Sequence, residues 1–278
     1  ATPPVPWPDP GTVDVRGLRI GMYDDDGAFP AAPAVKRAVA AAAHALERAG
    51  ARIVPFAPPA VDAALETFFT ILAADGARSA RRRLGRNARD RRVAGLLQLV
   101  AIPGALRPLA VAASAALGQR RLSRQIAAIR PTTTDGFWSL VAAQSAYRRR
   151  FAAALDASQI DALLAPPHAL PALTHGASYE LATAASYAML FNLLGYPAGV
   201  VPVTRVRSDE TTPRAAGRDI VDRAAALVER DSEGLPVGVQ VAARPWREDV
   251  VLAVMATLER ALRDDAEYPT LPPERSWK

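Results

Sequence analysis

The 278-residue sequence contains no cysteine and only two lysines, Lys36 and Lys278. The first absence excludes disulfides, thiolate metal sites and a cysteine nucleophile, and leaves the redox compartment open. A Gly-x-x-x-x-Gly-Lys phosphate loop and a Gly-x-Gly-x-x-Gly fingerprint are both missing, so nucleotide binding has no support. The tight Gly-x-Ser-x-Gly turn of many serine hydrolases is missing too, since Gly176-Ala-Ser178 is followed by Tyr179 and Glu180. Histidine is scarce: His44 sits in an alanine-rich stretch, and His168 and His175 flank a loop without further ligands at metal-site spacing. Structural or solvent roles are expected for all three, and no metal or cofactor is expected.

Half of the residues are apolar and 22% are charged, which reads as a globular chain. The net charge of +6 is carried almost wholly by arginine and admits nucleic acid or an anionic membrane as partner. Residues 1–14 are proline-rich and are expected to be a linker or a cut edge. Beyond them, Val15–Tyr23 reads as a strand, Pro33–Ala49 as a helix with Pro33 in its first turn, and Ala51–Phe56 as a second strand. Strand, helix and strand in this order make a βαβ unit and imply parallel pairing. A helical region is expected over residues 60–92 and another over 137–155. Asp161–Pro166, Val200–Thr204 and Gly234–Ala242 read as buried strands, 181–194 and 250–263 as helices, and 205–232 as a polar excursion. The fold class is therefore α/β, with a mixed, largely parallel sheet covered by helices. The three aspartates 24–26, after the first strand, are expected in an exposed turn rather than at a cation.

Eight arginines crowd into residues 78–92, and the next segment, Val93–Gly118, holds a single charge, Arg107. Pro103, Gly104 and Pro108 divide that apolar segment into pieces too short to span hydrocarbon. Two short apolar helices flanked by Arg120, Arg121 and Arg124 suit one leaflet of a membrane, with arginines meeting lipid phosphates. Burial as ordinary core is the alternative. Nucleic acid is disfavoured, because no aromatics interleave with the arginines.

Several blocks, in order, resemble the carboxy-terminal half of the amidase-signature family, its fatty acid amide hydrolases in particular. They are Leu18–Tyr23 with Pro33–Ala38, Ile129-Arg-Pro131 with Phe137-Trp138 and Tyr147-Arg148, Asn192–Thr204, Gly234–Gln240, and Pro245-Trp246 with Glu248. The resemblance covers about 13–263. It implies an amidase-signature fold, here incomplete, and hydrolysis of acyl amides through an acyl-enzyme. In that family a lysine activates a serine through a second serine, and glycine-rich backbone donors hold the oxyanion. Those groups belong to the family's first half, and no Gly-Gly-Ser-Ser-Gly-Gly-type stretch occurs here. Lys36 and Lys278 are badly placed for a desolvated base. No catalytic residue is therefore assigned, and residues 15–278 are expected to form the carboxy-terminal part of an amidase domain that is not competent alone.

By position, the resemblance implies that 93–118 is an apolar helix-pair cap beside a substrate entrance, with Leu96, Leu97, Leu99, Val100, Ile102, Leu106 and Leu109 as its membrane-facing set. Met189, Phe191 and Trp246 are expected to line an acyl channel, with ordinary core as the alternative. The implied partners are a small acyl amide, the amino-terminal half of the same enzyme and an anionic membrane surface. A homodimer is compatible with the reading, and a cytoplasmic location, with peripheral membrane attachment as an option, follows from it. Two other readings stand beside it: a short-acyl or aryl amidase, and a non-catalytic lipid- or partner-binding module.

Overall fold

The computed structural model describes residues 7–87, 91–215 and 217–270, except the side chains of 91–93 and 96. Strand β1 (Arg19–Met22) leads into helix α1 (Pro33–Arg48), which begins on Pro33 and presents Val35, Ala38, Val39, Ala42 and Leu46 to the core. Gly50, at φ +95°, makes the left-handed turn that ends the helix. Strand β2 (Arg52–Pro55) then pairs parallel to β1, with Ile20 opposite Ile53. The expected βαβ unit is present.

The helical region over 60–92 is interrupted. Helix α2 (Val61–Ala73) stops at a turn where Gly76 and Ala77 both adopt positive φ, and α3 (Arg78–Leu84) restarts beyond it. The apolar segment forms α4 (Arg91–Ala101) and α5 (Arg107–Ala116), separated at Pro103 as expected. Helix α5 packs against α6 (Arg120–Ala128), which in turn packs against α2. Helix α7 (Thr134–Ala157) is started by the Thr133 hydroxyl, which accepts from the Gly136 amide.

Strand β3 (Ala162–Ala165) is buried along its whole length and pairs parallel to β1. After α8 (Ser186–Leu194) come β4 (Ala198–Arg205), α9 (Ile220–Arg230), β5 (Pro236–Ala243) and α10 (Glu248–Leu262). The sheet order is β2-β1-β3-β5-β4. Strand β5 is antiparallel to both of its neighbours, so the other four strands run one way. Helices α1 and α10 pack together against β4 and β5. Helices α2, α7 and α8 pack on one another, and Phe151 of α7 makes aromatic contacts with Phe56, Tyr147 and Tyr196.

Two expectations are corrected. The polar excursion 205–232 contains α9, whose Val221, Ala224, Ala225 and Val228 are buried. The turn at Asp24–Asp26 is not wholly exposed either. Asp26 is buried, and its Oδ1 accepts from the amides of Ala28 and Phe29.

Candidate functional site

A cleft with a volume of about 800 Å³ lies among the described residues. Its wall is built from the end of α2 (Phe69, Leu72, Ala73), the end of α4 (Leu99, Val100), Ile129 after α6 and Phe137 in the first turn of α7. The break between α2 and α3, where Gly76 and Ala77 take positive φ, lies on the wall of this space. Two polar groups on its rim are already engaged. The Ser79 hydroxyl and amide hold the Asp75 carboxyl below its ordinary value, and the amide donates to Oδ2. The amide of Thr132 donates to the Ala74 carbonyl. What remains is an apolar surface suited to an aliphatic or aromatic ligand.

One buried polar side chain faces this space. Gln125 is 6% exposed, lines the cleft, and has an Nε2 without an acceptor among the described residues. It also lines an adjoining cavity of about 370 Å³, together with Leu65, Glu66 and Thr183. A buried amide donor of this kind is costly unless it meets an oxygen. The carbonyl or hydroxyl of a ligand would supply one.

A second buried polar group lies at the end of β1. Tyr187 Oη donates to the Phe29 carbonyl and accepts from the Asp26 amide, and its ring stacks on Tyr23. Burial raises the Asp26 carboxyl above its ordinary value, while the Ser186 hydroxyl beside it and the two turn amides pull the other way. Burial likewise raises the Tyr23, Tyr147 and Tyr187 phenols. Among the described residues no three His, Asp or Glu side chains are placed to hold one metal ion.

The sequence-derived residues fall in different places. Phe191 is buried in the main core, Met189 is half-buried against it, and Trp246 is 60% exposed with φ +68°. None of the three lines the cleft. In the apolar segment Leu97 and Val100 are buried, Leu99 and Ile102 half-buried, and Leu106 and Leu109 are 56% and 68% exposed. The Leu96 side chain lies outside the described part. Leu99 and Val100 join the cleft wall, so the segment forms part of this site. Arg107 points inward. Its guanidinium donates to the carbonyls of Leu99, Val100 and Ile102 at one helix end, and of Ile126 and Ile129 at another, over 2.5–3.4 Å.

Lys36 lies on the first turns of α1, half-exposed, with its Nζ 3.4 Å from Asp25. Among the described residues it meets no serine hydroxyl. Lys278 lies outside the described residues. His168 Nδ1 faces the backbone of Leu170, and burial lowers its pKa. His44 pairs with Glu47 on the surface, and His175 is exposed.

The profile of the family described as Amidase matches residues 3–252. Fatty acid amide hydrolase 1 of Caenorhabditis elegans is 31% identical over 276 residues, covering 94% of this chain and 46% of that protein. Fatty-acid amide hydrolase 1 of Sus scrofa is 31% identical over 265 residues, covering 94% and 45%. The chain thus spans under half the length of these curated relatives. Among solved structures, a fatty acid amide hydrolase superposes with a TM-score of 0.69 at 20% identity, over 93% of this chain and 42% of the other. A 6-aminohexanoate cyclic dimer hydrolase gives 0.61 at 21% identity, over 94% and 48%. These structural likenesses are likenesses of fold, and the mixed α/β sheet agrees with them.

Proposed function

The chain belongs to the amidase family, and from that premise we propose that it is the carboxy-terminal part of a serine hydrolase cleaving acyl amides, long-chain ones among them, through an acyl-enzyme. The observation that carries this reading is the 31% identity to two fatty acid amide hydrolases along 94% of the chain, coupled with an apolar cleft of about 800 Å³. In this reading the cleft is the acyl-binding wall. Its apolar lining holds a chain by burial, and Gln125 Nε2 meets an oxygen near the chain's polar end. The lysine and the two serines come from the enzyme's amino-terminal half, and the chain alone does not turn over substrate. The exposed face of α5, with Leu106 and Leu109, serves as a peripheral membrane contact beside the cleft. Among the described residues no helix is long and apolar enough to cross a membrane.

Leu72 tests the reading, because it lines the cleft yet is 65% exposed, so its replacement leaves the core intact. A fluorescent long-chain acyl amide is expected to bind the chain saturably. Leu72→Asp is expected to weaken binding about tenfold, the order of a lost leucine burial. Released fatty acid, measured in the same samples, is expected to stay at background. Equal binding by the variant removes the acyl wall from the cleft, and turnover by the chain alone overturns the assignment of the catalytic groups elsewhere.

A further inference from the structure

A separate cavity of about 450 Å³ lies where the α5–α6 turn meets the segment before α9, and four arginines line it: Arg120, Arg121, Arg124 and Arg218. Two of them have assigned work. Arg121 donates through Nε to Asp222 and through Nη1 to the Ala28 carbonyl, with its guanidinium 4.2 Å from the buried Phe29 ring centroid. Arg124 makes an exposed pair with Asp62, a contact that water and salt keep weak. Arg120 and Arg218 are exposed and, among the described residues, have no acidic partner.

The two acids on the same wall are occupied. Asp219 is buried and accepts from the amides of Arg121 and Val221, and Asp222 is taken by Arg121. Helix α6 opens with Arg120 and Arg121 and has no acid in its first turn. The Asp219 carboxylate, supplied from the segment before α9, is the anion at this helix end, and Arg120 is left without one of its own among the described residues. The second rim is tied to the first by hydrogen bonds. Gln119 donates to the Arg218 carbonyl at 2.6 Å and accepts from the Ile220 amide at 2.8 Å. Gly118, at φ +79°, brings the α5–α6 turn so close that a Cβ there would lie 3.3 Å from Arg218 Cβ.

We propose that this cavity binds a phosphate-class oxyanion, held between Arg120 on one rim and Arg218 on the other, with Arg124 as a third donor. Guanidinium groups carried by two chain segments on the wall of one cavity suit the oxygens of a tetrahedral anion. This site is distinct from the apolar cleft and does not depend on the amide-hydrolase reading. The anion comes either from a soluble phosphate ester or from a lipid headgroup.

The test uses the full chain, titrated calorimetrically with inorganic phosphate at low ionic strength, and in parallel floated with vesicles of phosphatidylglycerol or of phosphatidylcholine. Three variants accompany it: Arg120→Ser/Arg218→Ser, the single Arg120→Ser, and Arg82→Ser/Arg83→Ser on exposed positions of α3. One-to-one phosphate binding, weakened at least tenfold in the first variant and less in the second, assigns the site to soluble phosphates. No phosphate heat, but recruitment to phosphatidylglycerol that only the Arg120 variants reduce, assigns it to a headgroup. Absence of binding in both arms overturns the site, as does equal weakening by the α3 pair, which marks diffuse electrostatics.

Discussion

Arg107 is the one charge in an apolar stretch of twenty-six residues, and at the scale of single residues its surroundings explain it. From the sequence it is only the one charge that interrupts the segment. In the folded chain it is 7% exposed and serves backbone carbonyls left unpaired where α4 and α6 end. A cation is also favoured at the negative ends of two helices. Arg107→Met keeps the apolar stem but abandons those carbonyls, and is expected to cost about 2–4 kcal/mol in urea unfolding. Arg107→Lys is expected to recover only part of this, because a single ammonium cannot span both helix ends. If Arg107→Met unfolds like wild type, the clamp is not what holds α4 to α6. Asp26 offers a pH-dependent counterpart. Its folded carboxyl is raised by burial, so the folded state holds the proton more tightly than the unfolded chain does. The associated stability is full below the unfolded value of about 3.9 and is lost as pH rises through the folded one. Asp26→Asn keeps the Oδ1 acceptor for Ala28 and Phe29 while removing the charge. Urea midpoints are expected to favour the variant at pH 7–8, with the gain shrinking toward pH 4. A gain that does not vary with pH would locate the effect in packing instead of ionisation.

At the scale of elements, the helices and strands whose apolar positions keep a clean period were readable from sequence to within a few residues. Helix α1 is the clearest case: Pro33 and Gly50 bracket it, and the observed helix ends one residue before the expected end. Helix α9 escaped because its charged residues mask a short stripe, Val221, Ala224, Ala225 and Val228, behind an Asp219 cap. That cap and that spacing were the available signal. The cleft was not legible, because its wall combines the helix break at Asp75–Ala77 with segments far apart in sequence. Both glycines of the Gly234–Gly238 block have physical reasons. Gly234 sits at φ +73°, while Gly238 on β5 is approached by its partner strand. A Cβ at Gly238 would lie 2.6 Å from the Val201 carbonyl oxygen, a backbone atom that cannot rotate away. Gly238→Ala is therefore expected to cost about 1–3 kcal/mol by separating β4 from β5, measured by thermal unfolding. Gly234→Ala should cost about 1–2 kcal/mol through backbone strain alone. Undiminished stability in Gly238→Ala would mean that the β4–β5 seam is looser than its register implies.

For the whole molecule, the distribution of exposed apolar groups is uneven. Leu106, Leu109 and Leu117 are each more than half exposed along one short helix and its end, and Leu72 and Trp138 are equally exposed. Helix α5 buries only Arg107 and Ser114 fully, so its apolar residues contribute little to the core of the isolated chain. Such a surface is stable in water only at a cost that a covering phase removes. A membrane leaflet is the phase our functional reading assigns to it, since an aliphatic acyl amide dissolves there and the wall of α4 carries Leu99 and Val100 into the cleft. Leu106→Asp/Leu109→Asp is expected to abolish flotation with liposomes while changing the urea midpoint by less than about 0.5 kcal/mol equivalent, because both positions are already solvated. High salt should leave wild-type flotation largely intact if the apolar face drives it, and should abolish it if arginines do. Flotation that survives the double substitution transfers the contact to another surface. A large loss of stability in that variant would mean that α5 is packed more deeply than its exposure indicates, and would favour the short-acyl amidase in which this helix is simply part of the body of the protein.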